Sequence, residues 1–362
     1  MCNACTIAVD QNSIEDFGGK LVYVINHAGL AMMISVAHRT GLFDAMADCG
    51  SATISQLAVK SGLNGRYVKE CLGALVTGEV VSFEPDNQTY SLPENHAALL
   101  TRQAEPNNFA STMQWVSVLG EVESHIVDCF KYGGGVPYSA YSRFHEVMAE
   151  ESSQTVVASL LNNIIPLKDG LKESLERGID VLDVGCGSGQ AMLALAKEFP
   201  NSRFCGYDIC KETVTAANEL SSKVGLSNVN FEQKDVSRLI DEPADQYDWV
   251  TAFDAIHDQA KPDEVLKGIA HVVSPAGLFL MQDIAASSRV EQNMSRPLAP
   301  FLYTISCMHC MSVSLEQGGM GLGAVWGKEL ACEMLDQAGF RSVKVKELEH
   351  DILNFYYLAE LN

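Results

Sequence analysis

The sequence predicts an α/β fold with a Rossmann-like sheet, preceded by a mainly helical N-terminal part. From Gly178 onward, short apolar runs alternate with helical patterns, which is typical of parallel strands joined by crossover helices. Before that point the apolar residues recur mostly with helical spacing. Helices are predicted over Gln190–Glu198, Lys211–Val224 and Pro262–Val273. The predicted strands are Asp180–Val184, Arg203–Asp208, Val229–Glu232, Trp249–Phe253 and Leu278–Asp283, followed by a closing hairpin within RSVKVKELEHDILNFYYLAEL.

The chain is long enough for about two domains, at roughly 150 residues per domain. It has 362 residues, of which 47% are hydrophobic, so a substantial core can form. We predict an N-terminal helical and winged-helix domain over 1–105 and a helical linker or lid over 106–176. A Rossmann-like α/β domain is predicted over 177–362.

The formal charge of −21 argues against nucleic acid or an anionic membrane as the main partner. Such partners need a basic surface that releases counterions from phosphates. The acidic balance suits an enzyme whose cofactor carries positive charge. No run of about 18 apolar residues is present, and the N-terminus lacks a basic n-region, so a cytoplasmic location is expected. The 11 cysteines are then expected to be free thiols.

The N-terminal part shows a winged-helix pattern. The apolar helix GLAMMISVAHRTGLFDAM is followed by two short helices and by strands near Val80–Phe83 and Tyr90–Leu92. A winged helix suggests DNA binding, but the predicted recognition helix offers only Arg66 and Lys69 beside acidic residues. We therefore favour a dimerisation and substrate-covering module over a DNA-binding one.

The stretch between these two parts contains a candidate lid. It is predicted to be helical, with a Gly-rich break at Gly133–Gly135. Tyr138, Tyr141, Arg143 and Phe144 follow this break and precede the α/β part. Core packing explains the aromatic residues nearly as well as a role in covering the active site.

The strongest motif is VLDVGCGSGQ, in which Asp183 ends a buried strand and three glycines open a helix. Gly185, Gly187 and Gly189 let the backbone turn sharply and approach a ligand next to a helix N-terminus. The third glycine comes one residue too early for the dinucleotide fingerprint G-x-G-x-x-G. An acidic residue followed by G-x-G-x-G is instead the pattern of class I methyltransferases that bind S-adenosylmethionine.

Two further aspartates agree with this cofactor. Asp208 ends the second strand, where a carboxylate accepts hydrogen bonds from ribose hydroxyls. Asp235 follows the third strand, where such enzymes hold the adenine amino group. Taken singly, each aspartate reads as a strand-end cap, and the joint spacing is what favours a cofactor site. Val236 and Phe253 complete the predicted cofactor-binding set.

Nearly the whole chain resembles the winged-helix class I methyltransferases described for mycobacteria and invertebrates. The resemblance is carried by HRTGLFDAM, GGVPYSAYSRFHEVMAEES, GIDVLDVGCGSG, TAFDAIHDQAKPDEVL, FLMQDIAASS and CMHCMSVS. It implies a Rossmann-like seven-stranded class I methyltransferase domain with an N-terminal helical and winged-helix dimerisation domain. It also implies a homodimer that methylates a small-molecule acceptor with S-adenosylmethionine.

The candidate base is His257, which follows the fourth strand at the carboxyl edge of the sheet. Asp258, or another carboxylate, is expected to fix its imidazole tautomer. The His-Asp pair resembles the plant-type O-methyltransferases, and this resemblance makes His257 the base and Asp283 its partner. The further partner carboxylate of that family falls near Val325 or Trp326, where no acidic residue stands. The alternative for His257 is a structural role at the start of the following helix.

The segment YTISCMHCMSVS supplies a competing base and a candidate metal site. We predict one apolar helix over about Leu298–Leu315 that covers the acceptor pocket, with His309 as second choice for the base. The pairs Cys2–Cys5 and Cys307–Cys310 have the C-x-x-C spacing of zinc ligands. The second pair lies inside a predicted helix without a tight glycine turn, so no metal is expected.

The sequence thus favours an S-adenosylmethionine-dependent methyltransferase acting on a small-molecule oxygen or sulfur atom. Two alternatives stay open at this point. One is a winged-helix DNA-binding regulator that retains a cofactor domain, and the other is a non-catalytic scaffold that binds S-adenosylmethionine.

Overall fold

The computed structural model describes residues 11–361, which divide into two compact units. The first unit comprises the chain up to Ala104 together with Asn108–Ser117. The second comprises Glu105–Asn107 and the chain from Val118 onward. The pair Cys2–Cys5 lies outside the described residues.

The first unit has the predicted winged-helix arrangement. Thr53 caps α3 through a reciprocal capping box with Gln56, and Asn64 caps α4. The two strands pair antiparallel, with Ser82 opposite Ser91. Its elements are α1 (Gln11–Arg39), α2 (Leu42–Cys49), α3 (Ile54–Ser61), α4 (Gly65–Thr77), β1 (Ser82–Glu84), β2 (Thr89–Ser91), α5 (Glu94–Leu100) and α6 (Phe109–Thr112).

The long helix α1 exposes many of its apolar side chains. Phe17 is 60% exposed and Ile25 is 69% exposed. By length and composition alone, Ser13–Arg39 is long and apolar enough to cross a membrane. The predicted continuous helix in GLAMMISVAHRTGLFDAM is wrong, because Gly41, with φ of 71°, takes a left-handed conformation that separates α1 from α2.

The second unit is built on one seven-stranded sheet, as predicted. Its strand order is β5-β4-β3-β6-β7-β9-β8, and β9 alone runs antiparallel to its two neighbours. The strands are β3 (Asp180–Val184), β4 (Arg203–Asp208), β5 (Val229–Gln233), β6 (Tyr247–Phe253), β7 (Val273–Ile284), β8 (Ser342–Leu348) and β9 (Asp351–Glu360).

Helices surround this sheet, and α7 lies where the two units meet along the chain. The helices are α7 (Trp115–Gly120), α8 (Glu123–Tyr132), α9 (Phe144–Ser152), α10 (Leu171–Arg177), α11 (Gln190–Glu198), α12 (Lys211–Lys223), α13 (Pro262–Val272), α14 (Val290–Asn293), α15 (Ala299–Ile305), α16 (Met311–Glu316) and α17 (Gly327–Ala338).

Side chains alternate across the sheet and build one apolar cluster on each face. Phe279 and Phe355 pack with residues of α13 and α17 on one face. Leu280 and Tyr356 pack with residues of α11 on the other. Because β4 and β6 flank β3, the chain order reverses at β3, and this switch point is where open α/β sheets bind ligands.

The segment predicted as one helix over Leu298–Leu315 is helical from Ala299 to Glu316, as predicted, but it contains a π-helical stretch. A five-residue π-helical turn, Ser306–Cys310, separates α15 from α16. The hydroxyl of Tyr141 donates to the carbonyl of Met308 within this turn, at a distance of 2.6 Å. A π turn changes the angular position of every later side chain, and here Cys310 is buried while Cys307 is partly exposed.

Candidate active site

A cavity of about 330 Å³ lies at the carboxyl ends of β3, β4 and β6. It contains seven of the eight residues predicted to bind the cofactor, the exception being Gly189. Five of its lining residues are aspartates, and Lys and Arg are absent from its lining. The lining aspartates are Asp183, Asp208, Asp235, Asp254 and Asp258.

The glycine loop is built for close approach of backbone and ligand. Gly185 has φ of 75°, and a Cβ there would lie 2.6 Å from the Cβ of Ala255. Gly189 has φ of 70° at the N-terminal end of α11, and a Cβ there would meet the ring of Phe231 at 2.4 Å. Gly185 therefore shapes the cavity, whereas Gly189 allows α11 to pack against the sheet.

Asp208 and Asp183 sit side by side on adjacent strands. The carboxylate of Asp208 accepts hydrogen bonds from the amides of Gly187 and Cys210, both at 2.8 Å, and so fixes the loop. Each carboxylate oxygen has a second lone pair, which suits the ribose hydroxyls of a nucleoside. Burial raises the pKa of Asp183 to about 7, although the Thr251 hydroxyl donates to it at 2.7 Å.

The opposite end of the cavity suits an adenine ring. Asp235 caps the short helix that follows β5, because its Oδ1 accepts from the amide of Ser237 at 3.0 Å. Val236 and Phe253 line the same region and offer apolar surface. A polar edge, an apolar pair and a glycine loop thus fit the nucleoside and amino acid ends of the expected cofactor, S-adenosylmethionine.

His257 and Asp283 form a buried pair beneath the cavity. The imidazole Nδ1–H donates to Asp283 Oδ1 at 2.8 Å, and the two residues are 4% and 0% exposed. The indole N–H of Trp326 donates to the same oxygen at 3.0 Å. Burial lowers the pKa of His257, but the Asp283 carboxylate and the thiol of Cys310 outweigh it and raise that pKa well above its usual value.

Asp283, and not Asp258, forms the hydrogen bond that fixes the tautomer of the His257 imidazole. Asp258 instead accepts a hydrogen bond from the hydroxyl of Tyr138 at 2.6 Å. Burial raises the pKa of Asp258, while His257 and the Tyr138 hydroxyl oppose the rise. Trp326, at the position where the plant-type family has its further carboxylate, contributes an N–H donor in place of an acid.

The predicted lid residues lie against the segment around the π turn. Phe144 stacks on His309 with ring centroids 4.4 Å apart, and Tyr138 meets His309 edge-on at 5.6 Å. Tyr138 and Phe144 line the cavity. Arg143 pairs with Glu146 on α9 at 3.0 Å, and the side chain of Arg143 is only 14% exposed.

His309 is buried among aromatic rings and is not among the residues that line the cavity. Burial, followed by His257 and His145, lowers the pKa of His309 to about 3. Its imidazole is therefore neutral near pH 7 and offers an aromatic face to Phe144.

Met148, His145 and Asp254 are among the cavity residues that the sequence analysis did not identify. Met148 on α9 and His145 line the side of the cavity near the lid. Asp254 directly follows β6 in a left-handed conformation, with φ of 49°. The Phe-Asp-Ala sequence at a strand end was the available signal for Asp254, but a left-handed aspartate cannot be read from composition.

Within residues 11–361, the structure contains no group of three or more His, Cys, Asp or Glu side chains placed to hold a metal ion. Cys307 and Cys310 are free cysteines, which are not joined in a disulfide bond.

Two protein families match separate parts of the chain. Residues 28–102 match the Rv2258c-like winged HTH domain, and residues 175–339 match a methyltransferase domain. Similar proteins include the ubiquinone biosynthesis O-methyltransferase of Paracidovorax citrulli, 26% identical over 131 residues that span 36% of this chain and 54% of that protein. The methyltransferase YcgJ of Bacillus subtilis is 33% identical over 104 residues, or 28% of this chain and 40% of that protein. The matched regions thus span about half the length of these relatives or less.

Solved structures match the chain along almost its full length. Human N-acetylserotonin methyltransferase in complex with SAM has a TM-score of 0.67 and 18% identity, covering 98% of this chain and 99% of that one. The mitomycin 7-O-methyltransferase MmcR has a TM-score of 0.66 and 17% identity, covering 97% and 100%. At sequence identities of 17% and 18%, the structural similarity establishes the fold. The chain therefore contains an Rv2258c-like winged helix-turn-helix domain and a methyltransferase domain.

Proposed function

We propose that the protein transfers a methyl group from S-adenosylmethionine to a hydroxyl oxygen of a small molecule. The observation that carries the proposal is the buried His257–Asp283 pair at the carboxyl edge of the sheet. An imidazole whose Nδ1–H is fixed by a carboxylate directs its other nitrogen toward a proton to be removed. Removing that proton is what methylation of a hydroxyl requires.

S-adenosylmethionine, when bound, supplies a methyl group activated by the positive charge of its sulfonium. The cavity is lined by aspartates and by no Lys or Arg, so its lining carries no positive charge that would repel a sulfonium. Asp208 and Asp235 would hold the nucleoside, and the glycine loop would hold the amino acid end. Tyr138 and Phe144 cover the cavity and exclude water from the reacting atoms.

The protonation state of His257 sets the pH dependence. Burial lowers the pKa of His257, but Asp283 outweighs it and raises that pKa, so the imidazole of the free protein keeps its proton to a higher pH than an ordinary histidine does. A base must be neutral, so kcat/KM should rise with pH until His257 has lost that proton. The positive charge of a bound cofactor lowers the pKa of His257 and brings this rise closer to neutral pH.

The test is a set of histidine variants assayed with labelled S-adenosylmethionine against phenols, alcohols, thiols and amines. His257→Ala should lower kcat/KM for a hydroxyl acceptor by about 10²–10⁴-fold. The affinity for S-adenosylhomocysteine, measured by calorimetry, should stay unchanged, because His257 is not among the residues that line the cavity. His271→Ala is the matched control, since this imidazole bonds the remote carbonyl of Glu242.

A loss of less than about tenfold in His257→Ala would favour a sulfur acceptor. A thiol has an ordinary pKa of about 8.5 and needs little help from a base. Failure of every acceptor class together with tight cofactor binding would favour the non-catalytic scaffold instead.

The proposal also includes a homodimer in the cytoplasm and no nucleic-acid partner. In α4, the helix in the recognition position, Arg66 forms an ion pair with Glu70 of the same helix. Such a pair lowers the free positive charge that phosphate contacts require. No second function is proposed.

A further inference from the structure

Asp254 is a buried acid that the proposed mechanism does not use. It directly follows β6 in a left-handed backbone conformation, which is uncommon for a residue with a side chain. Its Oδ2 accepts a hydrogen bond from the Nε2 of Gln282 at 3.0 Å. Its Oδ1 is buried and has no hydrogen-bond partner among the described residues, and the same holds for Oε1 of Gln282.

One proton on Asp254 would allow its carboxyl group to pair with the Gln282 carboxamide and so give both of these oxygens a partner. A protonated carboxyl donates one hydrogen bond and accepts another, so it can pair with a carboxamide through two parallel hydrogen bonds. A charged carboxylate would leave Oδ1 and the amide oxygen as two buried acceptors with no donor, at a cost of about 1–3 kcal/mol for each group. The geometry therefore favours a neutral Asp254 in the free protein.

The groups that face Asp254 also favour its neutral form. Burial raises the pKa of Asp254 to about 8, with Asp283 of β7 as the next contributor and Asp351 of β9 a smaller one. His257 and the Gln282 hydrogen bond oppose this rise. A neutral acid thus lies within a cluster of carboxyl groups.

Asp254 also lies beside the part of the cavity that the glycine loop forms. It is one of the lining residues, and the next residue, Ala255, is the one that a side chain at Gly185 would strike. The glycine loop opens α11, whose N-terminus favours a carboxylate. In the amino acid end of S-adenosylmethionine, the ammonium and the carboxylate are attached to the same carbon. An ammonium next to that loop would need an acceptor, and no hydrogen bond to the other described residues occupies Oδ1 of Asp254.

We propose that Asp254 is a further cofactor-binding residue, which holds a proton in the free protein and releases it when the cofactor's α-ammonium binds. The O–H bond of the acid breaks, its proton passes to the solvent, and the resulting carboxylate accepts hydrogen bonds from the ammonium. The torsion of an aspartate carboxyl group is soft, so its oxygens can turn toward the cavity. The inference rests on the proposed function, because it takes S-adenosylmethionine as the cofactor.

The test is a count of protons released on binding, by calorimetry near pH 7 in buffers of different ionisation enthalpy. S-adenosylmethionine and S-adenosylhomocysteine both carry the ammonium, whereas 5′-methylthioadenosine lacks the whole amino acid end. The wild-type protein should release about one proton with the first two ligands and none with the third. The release should disappear near pH 9, where Asp254 is already ionised in the free protein.

Asp254→Asn should abolish most of this proton release. It should lower the affinity for S-adenosylhomocysteine by about tenfold or more and leave the affinity for 5′-methylthioadenosine unchanged. Asp235→Asn is the matched control at the nucleoside end, and it should weaken all three ligands alike with an unchanged proton count.

Three results would overturn the inference. They are an equal proton release in Asp254→Asn, an equal weakening of S-adenosylhomocysteine and 5′-methylthioadenosine in that variant, and a wild-type release that persists near pH 9. The last result needs no variant, so the test holds even if Asp254→Asn folds poorly. If S-adenosylhomocysteine does not bind the wild-type protein at all, the proposed cofactor itself is wrong, and this outcome differs from the other three.

Discussion

Asp283 is the residue on which the hydrogen bonds of the reacting centre converge. Its Oδ1 accepts from the imidazole of His257, from the indole of Trp326 and from its neighbouring amide of Ile284. Donors of this kind stabilise a carboxylate and weaken its pull on the proton of the imidazole. Trp326 is therefore a positioning residue that acts on the base through Asp283.

We predict that Trp326→Phe moves the rise of activity with pH. Without the indole N–H, the negative charge of Asp283 interacts more strongly with the imidazole of His257. The imidazole therefore keeps its proton to higher pH. The rise of kcat/KM should shift to higher pH, and kcat near pH 7 should fall by about tenfold. The measurement is a full pH profile of kcat and KM.

Trp249→Phe is the control for lost packing. Trp249 is fully buried, and its indole N–H has no hydrogen-bond partner among the described residues. This variant removes a similar volume without breaking a hydrogen bond, so its pH profile should match that of the wild type. An unchanged profile in Trp326→Phe would exclude the positioning role.

Asp254 and Asp183 also predict how stability depends on pH. Burial raises the pKa of Asp254 to about 8 and that of Asp183 to about 7, from ordinary values near 3.8. The folded protein then binds more protons than the unfolded chain between these values, so stability falls as pH rises through them. For Asp254 the loss between about pH 6 and pH 8.5 is roughly 2–3 kcal/mol.

The thermal midpoint of the cofactor-free protein should therefore be lower near pH 8.5 than near pH 6. The side chain at this position cannot ionise in Asp254→Asn, so the thermal midpoint of this variant should depend less on pH. Between pH 6 and pH 8.5 its midpoint should fall less than that of the wild type. A wild-type midpoint that rises across this range would contradict the assignment of two neutral acids. Differential scanning calorimetry in the absence of cofactor measures both proteins.

At the scale of single elements, the π turn and the glycine-rich segment fit together. A Cβ on Gly135 would lie 1.9 Å from the carbonyl oxygen of Ser312, and the amide of Val136 donates to the Ser312 hydroxyl at 2.9 Å. The chain that carries Tyr138 and Tyr141 is thus attached directly to α16. The lid depends on contact between two backbones.

We predict that Gly135→Ala separates these two backbones. The added methyl group cannot fit beside Ser312, so the variant should lose about 1–3 kcal/mol of stability and become more easily cleaved by protease near 133–144. Gly120→Ala is the control, because a Cβ on that glycine meets nothing within 4 Å. Equal protease resistance in the two variants would show that the close approach at Gly135 is unimportant.

The sequence predicts the sheet well because buried parallel strands leave a local signal. The short runs that end at Val184, Asp208 and Phe253 are rich in apolar residues, and each lies where a strand was predicted. The π turn at Ser306–Cys310 leaves no such signal, because it depends on tertiary contacts such as that between the Tyr141 hydroxyl and the Met308 carbonyl. The break at Gly41 does have a local signal, since a glycine commonly ends a helix in a left-handed conformation.

The candidate site likewise contains some features that have a local sequence signal and others that depend on tertiary contacts. The residues predicted to bind the cofactor lie at or after strand ends, and the register of the sheet brings all of them except Gly189 together around one cavity. The partners of individual side chains depend on distant parts of the chain. Trp326 reaches Asp283 across 43 positions, and Tyr138 reaches Asp258 across 120. Spacing along the sequence cannot specify such contacts.

At the scale of the whole molecule, the apolar surface of α1 calls for a partner. Seven apolar side chains between Ile14 and Ile25 are each about half exposed or more. A contiguous patch of this kind is rare on monomeric soluble proteins. A groove of about 660 Å³ lies beside it, between α1 and the end of α4. The occupant we propose is α1 of a second copy, in agreement with the homodimer expected from the sequence.

We predict that Phe17→Asp combined with Leu21→Asp produces a monomer. The two residues are four positions apart on one face of α1, so both charges would enter the same interface. Burying unpaired carboxylates in an apolar interface is strongly unfavourable. Light scattering coupled to size exclusion should show a dimer for the wild type and a monomer for the double variant.

Val59→Asp is the control: Val59 is 84% exposed on α3, so this variant should leave the dimer intact. A wild-type monomer that floats with lipid vesicles would mean that α1 inserts into a membrane, since its length and composition also permit that.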